Sequence, residues 1–460
     1  MWEEVIDAAR TDCGCGSDIL GRVQSLDVVY CQTTQYDDPP GRLADALGIE
    51  PRRTHYSGIG GTTPQQLVNE VATRMLGGEL DVALIVGAEA LATKRRMKKA
   101  GTPPTYSYRP AEKPAFPWEA PFHPAEVAHE VFQAWLTFAV FDNARRAQQG
   151  TGLADYRREL GDLWAPFSEV AALNPEAWFP VARSVDELIS PVADNRMVGY
   201  PYTKYMVSVM DVDMAAALVL MTHRAAEALN VAPEQRVYLR ASTYAEDPVY
   251  LAEHDELWRS PAMAAAGHEV LADADVGIDD VAHFDLYSCF GSSVNFACDA
   301  LGISPSDPRE LTVTGGLPYH GGPASNYMSH SIATMVDVLR NDPGALGMVS
   351  GVGMHMTKHV FGLYSTEPGQ PVRPKTVSAP QAVRSIAEVH EGEATVAAYT
   401  VVHGRDGGPE WGLAICDLPD GARAYARFDD PDQVNHAETE ELVGTKITLT
   451  PSGPVNMMRT

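Results

Sequence analysis

Apolar and polar positions follow a helix-then-strand order in the first 92 residues of the chain. A glycine-rich turn at 58–64 precedes Leu67, Val71 and Met75, whose four-residue spacing predicts a helix. A nearly continuous apolar run at 80–86 then predicts a buried strand of a parallel sheet, ending at Gly87. This block therefore predicts an α/β unit.

The same order of features returns at 236–366. A turn rich in glycine and proline at 315–323 is followed by apolar residues at helical spacing, Met328, Ile332, Val336 and Leu339. An apolar segment at 346–350 then ends at a second group of glycines. The repetition indicates an internally duplicated α/β protein.

Two further segments interrupt and extend the duplicated pattern. Residues 93–205 change in composition, and Val127, Val131, Trp135 and Phe138 predict one long helix within an insertion. Short strands at 396–402, 411–417 and 422–428, joined by glycine-rich turns, predict an antiparallel β domain similar to an OB barrel. The predicted domains are 1–225 with its insertion at about 93–205, then 226–367, then 371–460.

Composition and charge limit the classes of function that this protein can have. Hydrophobic residues make up 45% and charged residues 21%, as in ordinary globular proteins. The net charge of −26 opposes general binding to nucleic acid or to an anionic membrane. No apolar run is long enough to span a bilayer, and the first residues lack a signal pattern, so we expect a cytoplasmic protein.

Each glycine turn places backbone amides at the start of a predicted helix. Such amides, together with the helix dipole, bind anions or stabilise a developing oxyanion. The alternative is a sharp strand-to-helix connection with no ligand. The residues that would line a binding site are Gly60, Gly61, Thr62, Ser288, Gly316, Tyr319, Gly322 and Ser350.

Three side chains are candidates for catalysis. Cys289 precedes a predicted helix, whose N-terminus would lower the pKa of its thiol, and the alternative is a buried structural thiol. His320 lies inside the second glycine turn and His355 lies beyond the last glycine group, and either could serve as a base. Tyr319 and Ser350 are the remaining candidates for proton transfer.

Other polar groups have competing explanations. The residues His123, Glu126, His129 and Glu130 suggest a metal site only weakly, because a solvated helix start explains them and their order is not that of a zinc motif. The basic run at 94–99 could contact nucleotide phosphates or form a solvated loop. We therefore expect no metal.

Longer segments resemble the thiolase superfamily, often named acetyl-CoA acetyltransferases. The resemblance is carried by GGTTPQQLVNEVATRMLGGELDVALIVGAEA, DNRMVGYPYTKYM, DLYSCFGSSVNFACDALGI and LTVTGGLPYHGGPASNYMSHSIA. Within that superfamily the chain is most similar to thiolase-like proteins of type 1 with an additional C-terminal domain. The resemblance implies two stacked halves in five αβαβα layers, an inserted loop domain, an acyltransferase class, coenzyme A or acyl-CoA as the ligand with no other cofactor, and a homodimer.

The residues at the family's catalytic positions differ from those of working thiolases. Gly61 stands where the family has its nucleophilic cysteine, and Gly322 stands where it has an oxyanion-hole histidine. Residues 287–290, YSCF, replace the Asn-Glu-Ala-Phe or His-Asp-Cys-Phe loop, and the second cysteine is absent near 350–353. Acyl transfer through a covalent thioester needs a thiolate, which glycine cannot provide. We therefore predict that standard thiolysis is absent.

The sequence leaves more than one function open. The first is acyl-CoA binding in lipid or sterol metabolism without a covalent intermediate. The alternatives are a non-catalytic scaffold that recruits a protein partner through the β domain, and a retro-aldol lyase acting on an acyl-CoA.

The start of the sequence also differs from the family. The family opens with a central strand, whereas this sequence begins at the first helix, so that either the strand is missing or Met1 is not the natural start. A missing strand would leave unpaired backbone in the sheet.

Overall fold

The computed structural model of the protein describes residues 1–115, 117, 122–304 and 307–459. It has two stacked mixed sheets that share a layer of helices, an inserted region, and a C-terminal β-barrel. None of the helices in these described ranges is long and apolar enough to cross a membrane.

The first half alternates helices and strands as its apolar pattern predicts. Its elements are α1 (Trp2–Asp12), β1 (Ser25–Val28), α2 (Pro39–Leu47), β2 (Arg53–Tyr56), α3 (Thr63–Leu76) and β3 (Val82–Ala90). Helix α2 begins where Asp38 accepts a hydrogen bond from the Gly41 amide, and it ends at Gly48 in the left-handed conformation. Strand β3 is buried along nearly its whole length, as an apolar run of this kind requires.

The insertion is mostly helical. Its elements are α4 (Leu91–Lys99), α5 (Pro124–Ala128), α6 (Ala134–Gln149), α7 (Leu153–Leu173), α8 (Val185–Ile189), β4 (Met197–Gly199) and β5 (Tyr202–Thr203). The prediction of one long helix through residues 127–138 is wrong, because α5 ends at Ala128 and α6 begins only at Ala134. Between them Glu130 has a φ of 60°, which interrupts a right-handed helix.

The chain then completes the first sheet with β6 (Asp213–Met221), followed by the short helix α9 (His223–Ala228). The strand order is β2-β1-β3-β6, with β1, β2 and β3 parallel and β6 antiparallel to β3. Within the described chain, β6 therefore has a neighbouring strand on one side only.

The second half repeats this arrangement. Its elements are β7 (Tyr238–Glu246), α10 (Pro261–Ala274), β8 (Val281–Asp285), α11 (Gly291–Leu301), α12 (Tyr327–Asn341), β9 (Leu346–Gly353), β10 (Lys358–Ser365) and β11 (Lys375–Val377). Strand β9 corresponds to β3, with parallel β8 on one side and antiparallel β10 on the other. The order is β11-β7-β10-β9-β8, so β10, unlike its counterpart β6, has strands on both sides.

Helices and sheets stack in five layers. Helices α1 and α2 cover the outer face of the first sheet, and α10 covers the second sheet and packs against α11. Helices α3 and α12 contact each other and strands of both sheets, so they form the central layer. Buried Gln65 of α3 shows this position, because it accepts a hydrogen bond from Tyr364 of β10 at 2.7 Å. The predicted αβαβα architecture is confirmed.

The C-terminal strands close into a five-stranded barrel. The elements are β12 (Gly392–His403), β13 (Pro409–Asp417), β14 (Arg423–Phe428), α13 (Pro431–His436), β15 (Lys446–Ser452) and β16 (Val455–Arg459). The order β12-β13-β14-β16-β15 returns to β12, and only β14 and β16 are parallel. This arrangement is that of an OB-like barrel, as predicted. The exact domain boundaries stay a prediction.

Polar contacts attach the barrel to the rest of the molecule. Arg146 of α6 is almost fully buried and forms a two-pronged ion pair with Glu441, at 2.6 and 3.0 Å. Tyr425 of β14 donates a hydrogen bond at 2.7 Å to buried Glu126 of α5. The barrel is therefore a fixed neighbour of the insertion.

Candidate functional site

The first glycine turn places the N-terminus of α3 in the interior, between the two halves of the molecule. Gly60 has a φ of 154°, a conformation that favours glycine, and its amide donates to Ser325 Oγ at 3.1 Å. In the described structure, the amides of Gly61 and Thr62 have no hydrogen-bond partner. Two unpaired donors therefore remain at the positive end of the α3 dipole.

Gly61 has no room for a side chain. A β-carbon placed on it would lie 2.6 Å from Cζ of Tyr287 and closer still to the Tyr287 hydroxyl and the Val352 carbonyl oxygen. Real β-carbons do not approach other atoms this closely, and the Val352 carbonyl belongs to the buried backbone of β9. A cysteine at position 61 is thus excluded unless Tyr287 and the strand both move.

Tyr287 is the group that occupies this space, and its neighbours fix its position. Its backbone amide donates to Ser350 Oγ at 2.8 Å, and its ring meets the ring of Tyr327 edge-on at 5.6 Å. The side chain is 6% exposed, and burial raises the pKa of its hydroxyl well above the usual value. The phenol is therefore neutral near pH 7.

The second glycine turn lies against the loop that follows β8. A β-carbon on Gly316 would lie 2.6 Å from Ser288 Oγ, and Ser288 Oγ accepts a hydrogen bond from the Leu317 amide at 3.1 Å. Ser288 thus holds the turn in place. At Gly322, a β-carbon would overlap the hydroxyl of Ser208, so a larger side chain there would require that hydroxyl to move.

His320 is buried within the same turn. Its backbone is fixed by a hydrogen bond from the Trp178 amide at 2.9 Å, and its Nδ1 lies 3.3 Å from Asn174 Nδ2. Among the described residues its Nε2 has no hydrogen-bond partner, and burial lowers the pKa of its imidazole to about 4. The ring of His330 lies 5.4 Å away, and burial lowers the pKa of His330 to about 3. Both imidazoles are therefore neutral near pH 7.

Cys289 and His355 lie at different edges of this region. Cys289 is buried, its thiol donates to Ser293 Oγ at 3.6 Å, and burial raises its pKa to about 12, so the thiol is protonated near neutral pH. His355 lies in the turn between β9 and β10, with Nδ1 2.8 Å from Thr137 Oγ1. Burial lowers the pKa of His355 to about 4. Their catalytic roles stay predictions.

The remaining predicted residues divide between the site and the scaffold. Tyr319 is buried beside Trp164 at a ring distance of 6.2 Å. His123 accepts a hydrogen bond from the Ala125 amide and caps α5, while His129 accepts one from the Asn456 amide at 3.0 Å. These histidines, with Glu126, are thus engaged in holding the chain together.

Sequence reasoning missed two residues of the site, Tyr287 as the occupant of the space at Gly61 and Ser208 at Gly322. Tyr287 stood in a quoted motif, but only as a replacement for a family residue. Its contact with Gly61 joins distant segments, so no local pattern could reveal it. The missing side chain at Gly61 was the available signal, because a buried glycine turn implies that something else fills the space.

Comparison with known proteins identifies relatives over most of the chain. The family model described as the thiolase-like protein type 1 additional C-terminal domain matches residues 373–454. A crystal structure of a monomeric SCP2-thiolase like protein type 1 from Mycobacterium smegmatis is 33% identical, with a TM-score of 0.84. That match covers 98% of this chain and 93% of the relative.

A second solved structure supports the fold alone. The dimeric peroxisomal thiolase of Saccharomyces cerevisiae is 15% identical, with a TM-score of 0.52, over 78% of this chain and 87% of that chain. No curated protein sequence matches the chain. Because one similar structure is described as monomeric and the other as dimeric, the expected homodimer stays a prediction.

Proposed function

Because the chain belongs to the family of SCP2-thiolase-like proteins of type 1, we propose that it binds an acyl-CoA thioester without forming a covalent acyl-enzyme. The observation that carries this proposal is the filled space at Gly61. Thiolysis through a cysteine needs a sulfur atom at the start of α3, and Tyr287 and the Val352 carbonyl leave no volume for one.

The unpaired amides of Gly61 and Thr62 support binding of a carbonyl group. Amides at the N-terminus of a fourteen-residue helix attract a partly negative oxygen, such as that of a thioester. This attraction does not depend on a nucleophile. The glycine turn would therefore keep its affinity for the acyl group although the usual thiol is absent.

Apolar side chains near the second turn support an acyl chain of the lipid type. The Trp178 and Phe179 amides donate to the carbonyl oxygens of His320 and Tyr319, and both side chains are more than one-third exposed. Met210, also exposed, follows Val209, whose carbonyl accepts the Gly322 amide at 2.8 Å. Exposed apolar groups on two sides of the turn suit an apolar ligand.

The test is calorimetric titration of the purified full chain with coenzyme A, acetyl-CoA and longer acyl-CoAs. We expect saturable binding of acyl-CoA, and no mass increase of the intact protein after incubation with acetyl-CoA. The absence of binding at every chain length would refute the proposal and favour the scaffold alternative. An acylated protein in the mass spectrum would instead refute the non-covalent part.

A cleavage assay distinguishes the remaining alternative function, a retro-aldol lyase, from acyl-CoA binding alone. Product release from a β-hydroxyacyl-CoA would indicate the retro-aldol lyase, which needs a base and no thiolate. The variant His355→Gln would then lower turnover, whereas under the binding proposal it leaves acyl-CoA affinity within about twofold. The lipid-metabolic role and the cytoplasmic location are part of the same proposal.

A further inference from the structure

A buried carboxylate holds the segment 378–391, which joins β11 to the barrel, against the second half. Asp247, directly after β7, is 5% exposed and accepts a hydrogen bond from Gln381 of this joining segment at 2.9 Å. Two of its other donors belong to the second half: His359 Nε2 of β10 donates at 2.8 Å, and the Ser260 hydroxyl at the start of α10 also donates. One buried charge therefore bonds both to the second half and to the joining segment.

A buried histidine forms the second contact with the joining segment. His254 and Val383 form an antiparallel bridge, and the Arg384 amide donates to the Glu253 carbonyl oxygen at 2.9 Å. On the barrel side, the guanidinium of Arg423 on β14 donates to the carbonyl oxygen of His254. His254 thus lies where the second half, the joining segment and the barrel meet.

The ring of His254 lies where a second proton is costly. The residue is 1% exposed, its ring meets the ring of Phe141 edge-on at 5.2 Å, and its Nε2 has no hydrogen-bond partner among the described residues. A protonated imidazole carries an N–H group on each nitrogen, so protonation would bury an unpaired donor together with a positive charge. The geometry therefore favours the neutral ring.

The charged groups that face the ring leave this preference in place. Asp247 attracts a proton to His254, but its two oxygens already accept four hydrogen bonds, the fourth from the Ala262 amide at 3.2 Å. His359 and Arg423 oppose a positive charge on the ring. Burial lowers the pKa of His254 from its ordinary 6.5 to about 4, and the attraction of Asp247 does not reverse this shift.

The acidic neighbours of His254 along the chain have partners of their own. Glu253 accepts a hydrogen bond from the Tyr250 amide at 3.2 Å, and Asp255 forms an ion pair with Arg384 of the joining segment at 2.6 Å. Neither carboxylate is therefore left without a partner to which a protonated His254 could be the alternative.

From this arrangement we infer that His254 is an acid-sensitive latch, which holds the joining segment on the second half while its ring is neutral and releases it when the ring is protonated. The inference goes beyond the proposed function, since no ligand takes part. Release exposes the ring to water, where it binds a proton at its ordinary pKa. Docking of the segment is therefore fully favoured above about pH 6.5 and is lost progressively as the pH falls toward 4.

The carboxylate of Asp247 does not produce the same change. Burial raises its pKa, but the hydrogen bond and the charge of His359 outweigh burial and lower the pKa to about 2. Because this pKa is lowered, the contribution of Asp247 to docking is present above about pH 4 and is lost only as the pH falls toward 2. A change between pH 7 and pH 5 therefore reports on His254.

Hydrogen–deuterium exchange of the full chain at pH 7 and pH 5 tests the latch. After correction for the intrinsic exchange rate at each pH, protection of the Arg384 and Ala387 amides should fall about ten- to twentyfold at pH 5. The variant His254→Gln, which keeps a neutral polar side chain, should reduce this fall to within about twofold. His268→Gln, on the exposed face of α10, is the matched control and should keep the full effect.

A second variant keeps the test decisive if His254→Gln folds poorly. Gln381→Ala removes only the bond from the joining segment to Asp247, so it should lower protection of the segment about fivefold at both pH values. Unchanged protection in this variant would overturn the latch, as would equal protection of the wild-type chain at pH 7 and pH 5 or an undiminished pH dependence in His254→Gln. An equal fall at the Val396 amide in the barrel would indicate general acid unfolding and would also overturn it.

Discussion

At the scale of single residues, close packing decides which chemistry the glycine turn supports. Gly61 is surrounded by the Tyr287 ring and the Val352 carbonyl, so its missing side chain is a requirement of the packing. At Gly322 the hydroxyl of Ser208 fills the corresponding space. Both positions that the resemblance matches to catalytic side chains of the family thus lie against groups from other segments.

This packing predicts a clear cost for the smallest enlargement at the turn. Gly61→Ala should lower the free energy of unfolding by about 1–3 kcal/mol, because its methyl group overlaps the Tyr287 ring and the β9 backbone. Gly21→Ala is the control, since a β-carbon there meets nothing within 4 Å, and it should change stability little. Urea unfolding followed by circular dichroism measures both. Equal stability of the two variants would contradict the overlap.

The residue scale is also where sequence reasoning reached its limit. The absence of a nucleophile at Gly61 and of a histidine at Gly322 could be predicted, because each needed only the identity of one residue. The environments of Cys289 and His320 could not be predicted, because the shift in each pKa is caused by burial beneath other elements. A cysteine before a helix has the same local pattern whether it is exposed or buried.

At the scale of elements, the apolar periodicity predicted the long regular segments well. Helix α3 and strands β3 and β9 lie where their patterns placed them, with boundaries displaced by a few residues. The failure at residues 127–138 has a local cause. The caps provided by His123 and Glu126 begin a short helix, and Glu130 then leaves the right-handed conformation. Apolar side chains at helical spacing continue through this break, so periodicity alone hides it.

Helix α4 carries the basic run at 94–99. The sequence left two interpretations of this run open, a contact with nucleotide phosphates and a solvated loop. It follows β3 directly, and Gly87 of β3 packs against Asn326, the neighbour of Ser325 at the glycine turn. Lys98 and Lys99 are exposed and have no partner in the described part of the chain. Under the proposed function, these two exposed cations are candidates for contact with the phosphates of coenzyme A.

We expect the double charge reversal Lys98→Glu/Lys99→Glu to weaken acyl-CoA binding about tenfold at low salt, and less at high salt, because screening reduces surface electrostatics. Calorimetric titration at two salt concentrations measures the effect. Lys446→Glu on strand β15 of the barrel is the control and should leave affinity unchanged. An equal loss in both variants would point to overall charge and would refute a role for α4.

At the scale of the whole molecule, the duplication could be predicted because both halves repeat the same order of turn, helix and strand. The barrel could be predicted as well, from its hairpin turns. Its closure and its attachment could not, since they depend on pairings between distant segments, such as β12 with both β13 and β15. Strand β11 likewise pairs with β7 of the second sheet, although it lies within the range 371–460 predicted for the β domain.

The ion pair between Arg146 and Glu441, which attaches the barrel, leads to a prediction about stability. Glu441→Gln should lower the free energy of unfolding by about 2 kcal/mol, because it leaves the buried guanidinium of Arg146 without its opposite charge. The neighbouring Glu440→Gln is the control, since Glu440 is exposed and its side chain has no partner within the described residues. Urea unfolding of both variants measures the difference, and no difference would show that the ion pair is dispensable.

The fit of Tyr287 against Gly61 also limits how this protein could acquire thiolase chemistry. A codon change that introduces cysteine at position 61 places sulfur into the Tyr287 ring, and a change at 287 alone opens a void without supplying sulfur. Neither single step yields a working nucleophile, and each carries a cost in stability. Two coordinated substitutions would be needed, so stepwise mutation meets a barrier in either order.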